Sequence, residues 1–254
     1  MKMSGNTILI TGGASGIGRE LAERFHAQGN TVIIAGRRKD RLDDVAAAHD
    51  GITGYVLDID SNDAIQAFAA KVIEEHPDLN VLINNAGIMM FEDLTQSRDL
   101  ADAEATITTN LLGPIRLTNA LIDHLVTKPD AAIVNVSSGL AYVPLVATPT
   151  YSATKAAIHS YTVSLRDALR GKVEVIELAP PAVQTELTPG QSTRPGYLPL
   201  NDFMEEVMTL FAQQPTPPEI LVEKVGFLRF AEAEKRFDQT LSALNSFANE
   251  ARKP

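Results

Sequence analysis

Apolar and polar positions along the 254-residue chain follow two alternating periods. Nearly continuous runs of Val, Ile and Leu occur at 7–10, 31–35, 54–57, 81–83, 132–136 and 173–178. Between them, at 17–28, 38–49, 62–75, 100–126 and 150–170, apolar residues recur at helical spacing. The first pattern predicts strands buried on both faces and the second predicts amphipathic helices. Strands that alternate with helices form a parallel sheet covered on both sides, so the prediction is a doubly wound α/β fold of three layers, helix, sheet and helix.

No repeat or linker divides the chain, which predicts a single domain over 1–254. The pattern loosens after Pro180, where residues 180–200 carry five prolines and two glycines. Sheets of this type bind ligands at the carboxyl ends of their strands. An irregular insert after the last predicted strand is therefore expected to be a substrate lid, at 186–218. Short helical segments at 201–213 and 218–234 follow. The tail RFDQTLSALNSFANEARKP carries Leu241, Leu244 and Phe247 on one helical face. A helical lid and tail, with no clear seventh strand, are thus expected to follow the sheet.

Composition narrows the classes. Hydrophobic residues make up 44% of the chain, and no apolar run approaches the roughly 18 residues of a spanning helix. The first residues are too short a run for a secretory leader, and no Cys is present. A cytoplasmic protein without disulfides, thiolate catalysis or zinc–sulfur sites is expected. A net charge of −10 opposes nucleic-acid binding, and no membrane partner is expected. The five His residues lack metal-ligand spacing and are read as surface or packing residues, with no metal site.

Candidate chemistry begins in TILITGGASGIGRE, where Gly12, Gly16 and Gly18 lie between the first strand and the first helix. Glycines let a backbone turn tightly against a pyrophosphate, and a helix N-terminus adds N–H groups and a positive dipole. Ser15 and Ile17 belong to the same loop. The second strand ends in Gly36, Arg37 and Arg38, where a carboxylate would select NAD. Two guanidiniums suit a 2′-phosphate, so the expected cofactor is NADP(H), with Arg37 favoured over Arg38 for that contact. Asp58, with Ile59 after it, closes the third strand as an adenine contact or a helix N-cap.

YSATK, at 151–155, places a phenol and an ammonium four residues apart on one helix face. A cation beside a phenol favours phenolate and lowers a pKa that is ordinarily about 10. Such a Tyr can exchange a proton near neutral pH.

With TGGASGIG, then NNAG at 84–87, Asn110, Ser138 and YSATK in that order, the chain resembles the short-chain dehydrogenase/reductase family over residues 6–186. The wording of HPDLNVLINNAGIM, LAPPAV and the tail further resembles a subgroup labelled after D-alanyl-lipoteichoic-acid operons. The resemblance implies a Rossmann-type fold and a set of roles. It makes Tyr151 the general acid or base and Ser138 the group that steadies a substrate carbonyl. It makes Lys155 the residue that lowers the Tyr151 pKa and bonds the nicotinamide ribose, and Asn110 the holder of a proton-relay water. It places Asn84, Asn85, Ala86 and Gly87 beside the cofactor, with Asn84 also bracing the sheet. Pro180, Val183 and Thr185 would approach the nicotinamide, although Pro181 stands where the family has Gly.

The substrate expected is a small carbonyl or alcohol compound of hydrophobic character. Its pocket would include Met89, Met90, residues 140–146, Leu187, Leu198, Phe203 and Met208. A homodimer packed through 100–126 and 150–170 is expected. An epimerase or dehydratase on the same fold, or a cofactor-sensing protein without catalysis, stays open. A serine hydrolase does not, because VSSGL lacks the G-x-S-x-G elbow.

Overall fold

The computed structural model describes residues 1–250; the final four residues of the expected domain and tail lie outside the described residues. The β-branched runs form β1 (Thr7–Thr11), β2 (Thr31–Gly36), β3 (Ile52–Val56), β4 (Leu79–Asn84), β5 (Ala132–Val136), β6 (Glu174–Leu178) and β7 (Glu219–Ile220). They make one parallel sheet in the order β3-β2-β1-β4-β5-β6-β7. Successive side chains point to opposite faces of a strand. Ile8, Ile10, Val32, Ile34, Val81, Ile83, Val134 and Ile176 accordingly face one core, and Leu9, Ile33, Leu82, Ile133 and Val175 face the other.

The first core is closed by α1 (Gly16–Ala27), α2 (Lys39–Ala48) and α7 (Leu200–Phe211), through Leu21, Phe25, Leu42, Phe203, Val207 and Phe211. The second is closed by α3 (Asn62–Glu75), α5 (Gly113–Leu125) and α6 (Pro149–Ala168), through Ile65, Phe68, Leu117, Leu121 and Leu165. The predicted Rossmann-type three-layer architecture is therefore the architecture of the chain. No helix among the described residues is long and apolar enough to cross a membrane.

Three expectations are corrected. The sheet has a seventh strand, β7, parallel to β6. It is two residues long, below any periodicity signal, and backbone bonds fix it: the Glu177 N–H donates to the Pro218 carbonyl at 3.0 Å and the Ala179 N–H to that of Ile220 at 3.3 Å. The segment read as a helix over 218–234 holds β7, a 3-10 turn and the one-turn α8 (Gly226–Arg229). The long helix over 100–126 is interrupted: α4 (Ala101–Ile107) passes through a π-helical turn, Thr108–Leu112, before α5. Pro114, at the start of α5, has no N–H to continue an α-helical ladder. The tail forms α9 (Phe237–Glu250), as its periodicity predicted.

Asn84 and Asn135 face each other in register at the carboxyl ends of β4 and β5. Asn84 Nδ2 donates to Asn135 Oδ1 at 2.8 Å and to Thr118 Oγ1 of α5 at 3.1 Å. Asn135 Nδ2 donates to Thr162 Oγ1 of α6 at 2.9 Å. All four residues are buried. A partner deleted from such a chain leaves the others unsatisfied, which costs about 1–3 kcal/mol. Asn84→Ala is expected to lower unfolding stability by about 2 kcal/mol. Urea denaturation checks this as a lower midpoint with an unchanged slope.

Candidate active site

The crevice opens where β1 and β4 lie side by side and the chain winds away in opposite directions. Gly12 has φ +67° and Gly16 has φ +53°, conformations that side chains disfavour. A Cβ at Gly18 would stand 2.4 Å from both Asn85 Nδ2 and the Gly12 carbonyl oxygen. Thr11 and Asn85 tie the loop to β4. Thr11 Oγ1 accepts from the Asn85 and Ala86 N–H groups at 3.0 Å each, and Asn85 Nδ2 donates to the Thr11 carbonyl at 2.9 Å.

The α1 N-terminus fits an anion. Ser15, at its N-cap, makes no side-chain capping bond, and the first turn has no acidic residue. The helix amides and their dipole are thus uncompensated from within the chain. Arg38 Nη2 reaches Ser15 Oγ at 3.1 Å, which brings a guanidinium to the loop. Arg37 turns instead toward Asp60, 3.9 Å away. The favoured Arg of the sequence analysis is therefore the more remote of the two. Asp58 lies after β3, not at its end. Its carboxylate accepts from the Asp60 N–H at 3.2 Å, while Ser61 is the residue that caps α3. Ile59 is buried in the core beneath Gly113.

The catalytic candidates converge at the carboxyl ends of β4 and β5. Tyr151 and Lys155 lie in the first turns of α6, and both are buried, as are Ser138 and Asn110. Ser138 follows β5 and caps a 3-10 turn, its Oγ accepting from the Leu140 N–H at 3.1 Å. The Tyr151 phenol hydrogen-bonds the Ser138 side chain. Lys155 Nζ donates to the Val136 carbonyl at 2.8 Å and stands 5.5 Å from the Tyr151 ring centroid. Asn110 sits in the π turn, where its side chain accepts from the Ile88 N–H and donates to the Ile88 carbonyl, both at 2.8 Å. A Cβ at Gly87 would lie 3.3 Å from Asn110 Oδ1 and 3.8 Å from Lys155 Nζ. Of these groups Asn110 and Lys155 line one small void, together with Asn84, Ala86 and Asn135; Ser138 and Tyr151 are not among its lining residues.

The expected lowering of the Tyr151 pKa by Lys155 is reversed. Burial pushes the phenol up to about 12, against the pull of its Ser138 hydrogen bond. Burial likewise brings the Lys155 ammonium down to about 8. Removal from water disfavours the charged form of each, and in this pair it outweighs their proximity.

Beyond the glycine loop the sequence motifs gave no sign of three anchors. Glu92, its side chain only 2% exposed, accepts from the Thr150 N–H at 3.0 Å and Thr150 Oγ1 at 2.7 Å, and pairs with Arg98. It places a negative charge at the α6 N-terminus, where the dipole favours one. Buried Gln191 donates to the Val183 carbonyl at 2.9 Å and to Thr185 Oγ1 at 3.3 Å, fixing the loop after β6. Thr185 lies near Gly16, across the crevice. In that loop the Pro180 carbonyl accepts from the Gly139 N–H at 2.8 Å, and Leu198 bonds Ala182 and Gln184. Pro181 is thus carried by a loop held through its neighbours. The third anchor, Glu177, lies behind Ser138 and is buried against His159, which is no free surface histidine.

The expected pocket residues divide. Phe203 is fully buried and Met208 packs against the same core, so α7 is a layer of the fold. Met90, Val146 and Leu187 are exposed, and Met89, Leu140 and Leu198 are half-buried.

The model of the family described as "short chain dehydrogenase" matches residues 6–195. The uncharacterized oxidoreductase DltE of Bacillus subtilis is 39% identical over 254 residues, 98% of this chain and 100% of the relative. A short chain dehydrogenase from Burkholderia cenocepacia, solved with NADP, superposes with a TM-score of 0.80 at 25% identity, covering 96% of this chain and 99% of its own. The 3-ketoacyl-(acyl-carrier-protein) reductase of Brucella melitensis, solved with NADH, gives 0.76 at 27% identity over 85% and 94%. A match of this extent, on a sheet of this order, admits one placement: the chain belongs to the short chain dehydrogenase family, in the group around DltE, and is an oxidoreductase.

Proposed function

We propose that the protein is an NADPH-dependent carbonyl reductase in which Tyr151 is the general acid. The observation that carries this reading is the convergence of Ser138, Tyr151, Lys155 and Asn110 beside the glycine loop. The loop amides and Arg38 would hold the cofactor phosphates, with Arg37 able to swing in from Asp60. Bound there, NADPH supplies the hydride that reduces a ketone or aldehyde carbon.

The chain's own residues do the rest. The Ser138 hydroxyl donates to the carbonyl oxygen and steadies the charge that builds on it. Tyr151, kept protonated by its burial, passes its proton to that oxygen. The Lys155 ammonium favours the tyrosinate left behind, and Asn110 holds the route by which the proton is replaced. Exposed Met90, Val146 and Leu187 support a hydrophobic substrate. The lid proposed here is confined to 186–199, because α7 is committed to the core. A homodimer is supported by the exposed Ile107, Leu112 and Val163 on the α4–α5 run and α6. The absence of Cys suits a cytoplasmic setting.

Tyr151→Phe is expected to lower kcat by about 10²–10⁴-fold, the usual contribution of a general acid, and to keep NADPH affinity. Steady-state kinetics across a panel of ketones and aldehydes, with a fluorescence titration of NADPH, checks both. A wild type that reduces no carbonyl, or a mutant that keeps its rate, overturns the assignment.

The pH profile carries a sign. Lys155 holds its charge below a pH of about 8 and loses it above. Reduction is therefore expected to slow as pH rises through about 8, well before Tyr151 titrates at about 12. A kcat profile that stays level through that range contradicts the role given to the ammonium.

Of the two solved relatives above, one holds NADP and the other NADH, so the preference rests on the arginines. Arg38→Ala is expected to weaken NADPH about tenfold or more, the worth of a charge-assisted bond, and to leave NADH unchanged. Parallel titrations of the two cofactors check this.

A further inference from the structure

Glu177 is the penultimate residue of β6, in register with Asn135 of β5, and is fully buried. A carboxylate in such a place is costly unless it is paired and hydrogen-bonded. Here three side chains meet it. Ser137 Oγ donates to Oε1 at 2.5 Å, the Tyr142 hydroxyl donates to the same oxygen at 3.0 Å, and His159 Nδ1 lies 2.7 Å from Oε2. Beside it Arg229 forks onto both oxygens of Glu219 at 3.1–3.3 Å and stacks 4.7 Å from the Tyr142 ring centroid. His159, Glu177 and Glu219 hold their ligand atoms within 4.8 Å of one another, but the guanidinium already supplies the positive charge there.

Each partner of Glu177 belongs to a segment that carries a catalytic candidate. Ser137 precedes Ser138 at the end of β5. Tyr142 ends the 3-10 turn that Ser138 caps. His159 stands one turn beyond Lys155 on α6, on the same side of the helix. A carboxylate offers about four lone-pair sites on two oxygens, enough to hold three donors from three segments at once. Bonds to a charged acceptor are shorter and stronger than neutral ones, so they fix geometry as well as adding energy. Stability alone would not call for a carboxylate, since an apolar side chain of similar size often replaces a buried ion at no loss.

We propose that Glu177 is a positioning residue of the reaction. Through Ser137, Tyr142 and His159 it sets the distance between the Ser138 hydroxyl and the Tyr151 phenol. The proposal rests on the reading of Tyr151 as general acid, and the test separates the two.

Wild type, Tyr151→Phe, Ser137→Ala, Ser137→Thr, Glu177→Gln and the Ser137→Ala/Glu177→Gln pair are compared for kcat, carbonyl KM, NADPH affinity and urea midpoint. Displacement of a reacting group by about an ångström costs up to about a hundredfold, so Ser137→Ala and Glu177→Gln are each expected to lose about ten- to a hundredfold in kcat. Carbonyl KM and NADPH affinity are expected to stay within about twofold of wild type. Ser137→Thr keeps the hydroxyl and is expected to restore most of the rate. The double variant is expected to be no slower than the slower of its two single variants, because both changes act on the one Ser137–Glu177 contact, Ser137→Ala by removing the donor and Glu177→Gln by removing the acceptor's charge.

Folded Ser137→Ala and Glu177→Gln proteins that keep kcat within about twofold of wild type overturn the proposal while Tyr151 stands. So does an additive double variant, or a loss shared equally by KM and NADPH affinity. Ser137→Ala, the smaller change, keeps the test decisive if Glu177→Gln does not fold. A wild type inert toward every carbonyl takes down the reading of Tyr151, and this inference with it.

Discussion

The hydrogen bonds from Thr118 through Asn84 and Asn135 to Thr162 cross the molecule at the level where chemistry would occur. They join α5, β4, β5 and α6 by polar contacts inside an apolar core. Hydrophobic packing is non-directional and tolerates small slips of a helix along a sheet. Directional bonds between buried amides do not, because each slip would leave a group unsatisfied. Asn110 enters just before α5, and Tyr151 and Lys155 ride on α6. The relative height of these side chains above the strand ends therefore follows from this one chain of amides and hydroxyls.

The two titratable groups of the site are held against their charged forms. A buried Lys with a lowered pKa reduces stability, and the sign is fixed by linkage. Between about 8 and 10.5 the unfolded chain binds more protons than the folded one, so this contribution rises with pH across that window. Tyr151 acts in the opposite sense between 10.0 and about 12, where the folded state keeps a proton that the unfolded chain releases. Near neutrality the phenol is thus a stored proton, and the ammonium is a charge held at a cost in stability. Such costs are the usual mark of a site shaped for reaction.

Much of this was legible in the order of residues. The buried strands, the glycine turn and the Tyr151–Lys155 spacing each depend on local rules of period and turn chemistry, so they survive without knowledge of the tertiary fold. What escaped depends on distant partners. Residues 219–220 carry no strand period; β7 exists because β6 offers them an edge. Glu177 stands between apolar Ile176 and Leu178 in the sequence, and its partners come from 137, 142 and 159. Glu92 reads as a surface acid until Thr150 and Arg98 close over it. The pKa direction of Tyr151 departs from the expected one because spacing reports proximity but not burial.

The π turn at Thr108–Leu112 has a genetic corollary. Such a turn is an α-helix that has accepted one residue too many. Loss of a single codon in that stretch would shift the helical register, while Pro114 would still leave its gap in the α-helical ladder. Such a loss would rotate α4 by roughly 100° about the axis it shares with α5. Asn110 could then no longer meet both backbone groups of Ile88. The aim of one amide thus depends on how many residues this helix holds, as well as on which residues they are.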